Sequence, residues 1–189
     1  MRLPLFPLNA HVFPEGRLAL RIFEARYLRM VRERAGHEPC FAMGMLEKTA
    51  DGSSRVLGVV TLVKMVDFDQ LDDGLLGITV EGVSLARVDE TESDEDGLRW
   101  AKCIPFDLWP EEAPGEDPRI QQALARLFSE YPEIGGLYSQ PGLDSLTWSL
   151  QRWLELLPIE ASAKATLLTQ PSSAMAVSLI HSILDKSDP

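Results

Sequence analysis

The feature that most constrains this chain is a change of character at residues 110–118, PEEAPGEDP. Before it, apolar residues alternate with polar ones or form short β-branched runs; after it they recur every three or four positions. A period of two puts side chains on opposite faces of a strand, and a period near 3.6 lines them along one face of a helix. Proline, glycine and acidic residues make the break itself a connector. The chain is therefore expected to be α+β, with a β-rich lobe over residues 1–110, a linker over 111–117 and helices over 118–189. A domain of 189 residues buries roughly 70% of its unfolded surface, so no disulfide or metal staple is required.

Within the first part, Leu3 to Leu8 is a short apolar stretch broken by Pro4 and Pro7, which predicts an edge strand or extended arm. HVFPEG turns the chain at Pro14 and Gly16. Leu18, Leu20 and Ile22 alternate with Arg17, Ala19 and Arg21, the pattern of a strand with one buried face. Phe23, Tyr27, Met30, Val31 and Arg34 then follow helical spacing up to Gly36, which puts Phe23 and Tyr27 on a buried helix face. CFAMGML, Val56 to Phe68 and Leu75 to Val88 read as strands joined by polar turns. DETESDEDG reads as an acidic loop before a last strand, LRWAKCIPFDLW. Closely spaced strands of this kind favour a barrel or curled antiparallel sheet. In the second part, helices are expected over Ile120–Tyr131, Ser145–Leu157, Glu160–Gln170 and Ser172–Asp185, with YPEIGGLYSQPG a loop and Ser172 a candidate N-cap. Short connections predict antiparallel packing into a bundle.

Charge and motifs exclude several functions. The net charge is −11, the wrong sign for a phosphate-backbone binder, so nucleic acid is not an expected partner. A local basic patch around Arg17, Arg21, Arg26, Arg29, Arg32 and Arg34 is the one route to RNA binding, against the simpler reading of a solvated helix face. No Gly-Lys pair occurs, so there is no phosphate-cradling loop, and the serine-hydrolase elbow G-x-S-x-G is absent. Neither H-E-x-x-H nor C-x-x-C occurs. The acidic stretches DFDQLDDG and ESDEDG place Leu71, Val80 or Cys103 where a calcium loop needs oxygen ligands, so both read as solvated turns. No metal or other cofactor is expected. His181, within SLIHSIL, reads as a boundary residue, Cys40 and Cys103 as buried thiols, and the four tryptophans as core anchors. No apolar run reaches the roughly 20 residues of a membrane span, and the N-terminus lacks the apolar core of a signal peptide. The expected setting is cytoplasmic, without a membrane partner.

Three segments carry a family resemblance. LPLFPLNAHVFPEGRLALRIFEARYLRMV resembles the opening of the Lon protease N-terminal, substrate-binding domain, where an LPLFPL arm, a VFP turn and a strand ending in IFE lead into a helix. LGVVTLVKMVDFDQLDDGLLGITVEGVSLARV resembles the family's paired strands, with Glu81, Gly82 and Val83 in register, although Leu85 and Ala86 stand where the family has Arg-Phe. WLELLPIEASAKATLLTQPSSAMAVSLIHSIL resembles its closing helices. The resemblance implies a PUA-like curled β-barrel with an embedded helix, followed by a helical bundle. It also implies a free-standing, ATP-independent and non-catalytic module that binds unfolded or extended polypeptide segments, with a link to protein quality control. Phe13, Phe23, Glu24, Arg26, Tyr27 and Glu81 fall in the resembling motifs and are the candidate peptide-binding residues. Rival readings are a small-molecule-binding or enzymatic barrel and the RNA binder already weighed.

Overall fold

A computed structural model describes residues 1–110 and 115–187. Residues 111–114 of the expected linker and the last two of the expected helical region lie outside the described residues. The chain divides into two compact units, Met1–Phe106 and Asp107–Pro189.

The first unit is built on β1 (Arg2–Leu8), β2 (Arg17–Ile22), β3 (Phe41–Lys48), β4 (Ser54–Gln70), β5 (Leu76–Ser93) and β6 (Arg99–Phe106), with helix α1 (Ala25–Arg34) between β2 and β3. They form a mixed six-stranded sheet in the order β2-β5-β4-β3-β1-β6. β6 also pairs with β5, so the pairings run from β5 through β4, β3, β1 and β6 back to β5. β2 stands outside this circuit, with β5 as its sheet partner. Alternate residues bury on opposite faces, as a pleated strand requires. Leu3, Leu5, Ala42, Val60, Leu62, Ala86 and Ala101 form one core. Phe6, Ile22, Met30, Phe41, Met43, Val63 and Val80 form the other, into which α1 presents Met30 and Val31.

Two sequence expectations are corrected here. β1 is an interior strand, parallel to β3 and antiparallel to β6. It tolerates two prolines because its pairings are staggered. β6 partners Arg2 to Leu5 and β3 partners Leu5 to Leu8, so Pro4 and Pro7 each lie in a half that is partnered on one side. A missing N–H does no harm on an unpaired side. Likewise DETESDEDG is mostly strand, since β5 continues to Ser93 and only residues 94–98 turn. Cations on the neighbouring strands make this acidic run compatible with a ladder: Lys102 on β6 bonds Asp89 at 2.7 Å, and Arg2 on β1, one strand further, pairs with Glu92.

The second unit holds α2 (Pro118–Glu130), α3 (Pro132–Gly135), α4 (Leu146–Leu156), α5 (Ala161–Leu168) and α6 (Ala174–Ser187). The short α3 falls within the stretch expected to be a loop. Asp117 and Ser145 cap α2 and α4, accepting N–H bonds from Ile120 and Trp148; such caps contribute about 1 kcal/mol each. α6 begins two residues after Ser172, with Val177 N–H donating to the Ser173 carbonyl. Phe128, Tyr138 and Trp148 pack as one aromatic cluster with centroids 5.2–6.1 Å apart. Trp153 and Trp109 are buried and donate their indole N–H groups to the carbonyls of Ile120 and Leu167. His181 on α6 contacts Asp117 at 2.6 Å, a tether from α6 to the α2 cap that its lone place in an apolar helix did not reveal.

Candidate functional site

The site is organised by the way β2 runs into α1. The Glu24 carbonyl accepts the first helical bonds, from the Tyr27 and Leu28 N–H groups, both at 3.0 Å. Phe23 therefore precedes the cap and does not share the helix phase. It is 68% exposed, which corrects the expectation that it lies on the buried helix face. The helix is clamped against the β5–β6 turn by its own arginines. Arg29 bonds Asp96 at 2.8 and 2.9 Å and Asp94 at 2.6 Å, while Arg26 donates to the Gly97 carbonyl at 3.1 Å. Arg29 holds both aspartates below the usual carboxylate range. Asp94 also accepts the Trp100 indole N–H at 3.0 Å. The acidic turn is thus a socket for α1.

Beside the start of α1 lies a cleft of about 380 Å³. β1 supplies Phe6, Pro7 and Leu8, β3 supplies Leu46, and β4 and β6 supply Ser54 and Arg99. Arg21 at the end of β2 completes the lining with Phe23, Glu24, Arg26 and Tyr27. The Tyr27 ring meets Phe6 edge-on at 4.4 Å and lies under the Arg26 guanidinium at 4.7 Å. Burial raises the Tyr27 phenol above its ordinary pKa. Arg26 is held by Glu24 at 2.6 Å and Arg21 by Asp73. Arg99 is exposed, and its side chain has no hydrogen bond or ion pair among the described residues. Four of the six expected residues, Phe23, Glu24, Arg26 and Tyr27, thus line one cleft.

Phe13 and Glu81 lie elsewhere, where the VFP turn meets the Glu81-Gly82 element. Pro14 bridges Gly82, Glu15 N–H donates to the Gly82 carbonyl at 2.8 Å, and Gly82 N–H donates to the Gly16 carbonyl at 2.9 Å. A Cβ on Gly82 would stand 2.6 Å from the Phe13 carbonyl carbon and closer still to its oxygen, so only glycine lets the two backbones approach this closely. Phe13 is 1% exposed, which gives it a packing place. Glu81 accepts from Arg17 at 2.8 Å and from Lys64 at 3.1 Å. Burial pushes its carboxyl up, but the two cations outweigh burial and leave it below its ordinary pKa. Leu85 and Ala86, at the family's Arg-Phe positions, are buried in the sheet.

Residues 2–186 match the family described as the ATP-dependent protease La (LON) substrate-binding domain. The chain belongs to that family. Its fold is also that of solved relatives of the LON substrate-binding domain. The Lon N-terminal domain protein from Xanthomonas campestris superposes with a TM-score of 0.69 at 24% identity, over 96% of this chain and 98% of that one. The N-terminal domain of Mycobacterium avium complex Lon protease gives a TM-score of 0.60 at 12% identity, over 95% of each chain. No curated protein matched significantly.

The remaining chemistry of this LON substrate-binding domain is modest. Its candidate basic patch is largely committed: Arg17, Arg21, Arg26 and Arg29 face carboxylates, and Arg34 donates to the Cys40 and Pro39 carbonyls. Among the described residues no group of three or more His, Cys, Asp or Glu side chains could hold a metal ion, and no helix is long and apolar enough to cross a membrane. Phe6, Leu8, Leu46, Ser54 and Arg99 were not among the expected site residues. Each comes from a strand whose place at the cleft depends on long-range pairing, and no local signal marks them.

Proposed function

We propose that this domain recognises unfolded or extended polypeptide without catalysing a reaction on it, as a cytoplasmic, ATP-independent participant in protein quality control. In this reading the closed circuit of strand pairings is a PUA-like curled barrel, the second unit is a helical bundle, and residues 111–117 link them. The observation that carries the reading is Phe23, a large aromatic side chain 68% exposed in the lining of a cleft that mixes apolar and charged groups. An exposed aromatic that lines a cleft is a ready anchor for a binding partner. β2 leads directly into it and is paired with β5 along one edge, so its other edge can take an extended chain by strand addition while the cleft takes a side chain. Committed arginines and a net charge of −11 weigh against the RNA reading.

Fluorescence polarisation tests this with a labelled, permanently unfolded polypeptide and a length-matched RNA. The polypeptide is expected to bind saturably at moderate salt and the RNA not to bind. Burial of a phenylalanine contributes about 1.5–3 kcal/mol, so Phe23→Ala is expected to weaken polypeptide binding by roughly ten- to hundredfold. Absence of polypeptide binding, or RNA binding with a steep salt dependence, overturns the reading.

A further inference from the structure

We infer that the cleft reads the C-terminus of its polypeptide ligand: an apolar last side chain together with the free α-carboxylate. The inference rests on the polypeptide reading above and narrows it. The walls supplied by Phe6, Leu8, Leu46 and Phe23 are apolar and suit a hydrophobic side chain. The charge around them is the reverse of the molecule's. Three arginines and one glutamate line the cleft, in a chain whose net charge is −11. Two of those arginines already have a carboxylate, Arg21 with Asp73 and Arg26 with Glu24. Arg99 has none among the described residues. Tyr27 also lines the cleft, and its hydroxyl has no hydrogen-bond partner among the described residues. The site therefore offers an uncommitted guanidinium and an uncommitted phenol donor next to an apolar floor. That set is matched by an anion with planar oxygen acceptors attached to an apolar group, since a guanidinium grips a carboxylate through two parallel N–H bonds. Within a polypeptide, only the last residue carries a carboxylate on the same α-carbon as an apolar side chain. An internal residue presents a neutral amide there.

The test uses the full chain and an unstructured, N-terminally labelled decapeptide ending in leucine, made as the free acid and as the C-terminal amide. The acid is expected to bind at least tenfold more tightly than the amide, the scale of a charge-assisted hydrogen-bonded pair. Arg99→Gln is expected to remove that advantage, and Arg99→Lys to keep part of it. Because Arg99 is exposed, circular dichroism of both variants should match the parent. Replacing the terminal leucine by serine is expected to weaken the acid peptide. Equal binding of acid and amide overturns the inference and leaves polypeptide recognition standing. So does an acid preference that survives unchanged in Arg99→Gln. Failure of both decapeptides while a long unfolded polypeptide still binds likewise overturns this inference alone. Failure of every polypeptide overturns both.

Discussion

The two places where the motif residues ended up differ in kind. At the junction of Phe13 with Gly82 every group is committed: the aromatic ring is buried, the backbones touch, and Glu81 satisfies two cations. At the cleft the aromatic ring of Phe23 faces solvent, and Arg99 has no carboxylate partner among the described residues. Both regions belong to the same resembling segments, yet one holds the fold together and the other is available to a ligand. Residues of one motif therefore divide between a buried, partnered junction and an open cleft, and only burial and partnering separate them.

Mutations at the junction should act on stability and mutations at the cleft on binding. The largest effect is expected for Phe13→Ala, which removes a fully buried ring and should lower the unfolding free energy by about 3–5 kcal/mol in urea titrations. Gly82→Ala follows, because a methyl group forced against the Phe13 carbonyl should cost about 1–3 kcal/mol; a melting temperature equal to the parent's would show that the junction yields. Glu81→Gln should destabilise by about 1 kcal/mol at neutral pH, as partly exposed ion pairs do. Since the folded pKa of Glu81 is depressed, its contribution is present above the ordinary Glu value of about 4.3 and fades as pH falls through the folded value. Acid titration of stability should thus be shallower for Glu81→Gln than for the parent. Phe23→Ala comes last on this scale, with stability within about 0.5 kcal/mol of the parent, though it should abolish most polypeptide affinity. A large loss of stability in Phe23→Ala would erase the distinction between the two regions.

Much of this was legible in the residues. Alternation located β2, apolar and β-branched runs between polar turns located β3 to β6, helical spacing and Gly36 bounded α1, and the break at 110–118 fell between the last strand and α2. Local patterns report local geometry, so the failures lie where distant partners decide. Pro4 and Pro7 argue for an edge until β3 and β6 are known to share β1 between them. Asp89 to Ser93 read as a loop until Lys102 stands across the ladder and Arg2 reaches Glu92 from the next strand over. Phe23 falls four residues before Tyr27 and so mimics helix phase, but the chain is still leaving β2 at that point. Of the cleft lining, Phe23, Glu24, Arg26 and Tyr27 come from one short motif, whereas Phe6, Leu46 and Arg99 reach it only through the sheet.

The pairing of β1 with β6 also sets a timetable. Leu3 must wait for Ala101, almost a hundred residues later, before its ladder can form. A chain emerging from the ribosome at about 5–20 residues per second would hold Leu3 unpaired for roughly 5–20 s, while Leu5 and Phe6 meet their β3 partners Ala42 and Met43 sooner. Contacts of such long sequence separation also slow the folding step itself. The start of β1 is therefore the strand segment left longest without its partner, and a domain proposed to hold other proteins' unfolded segments passes through a stage in which it presents one of its own.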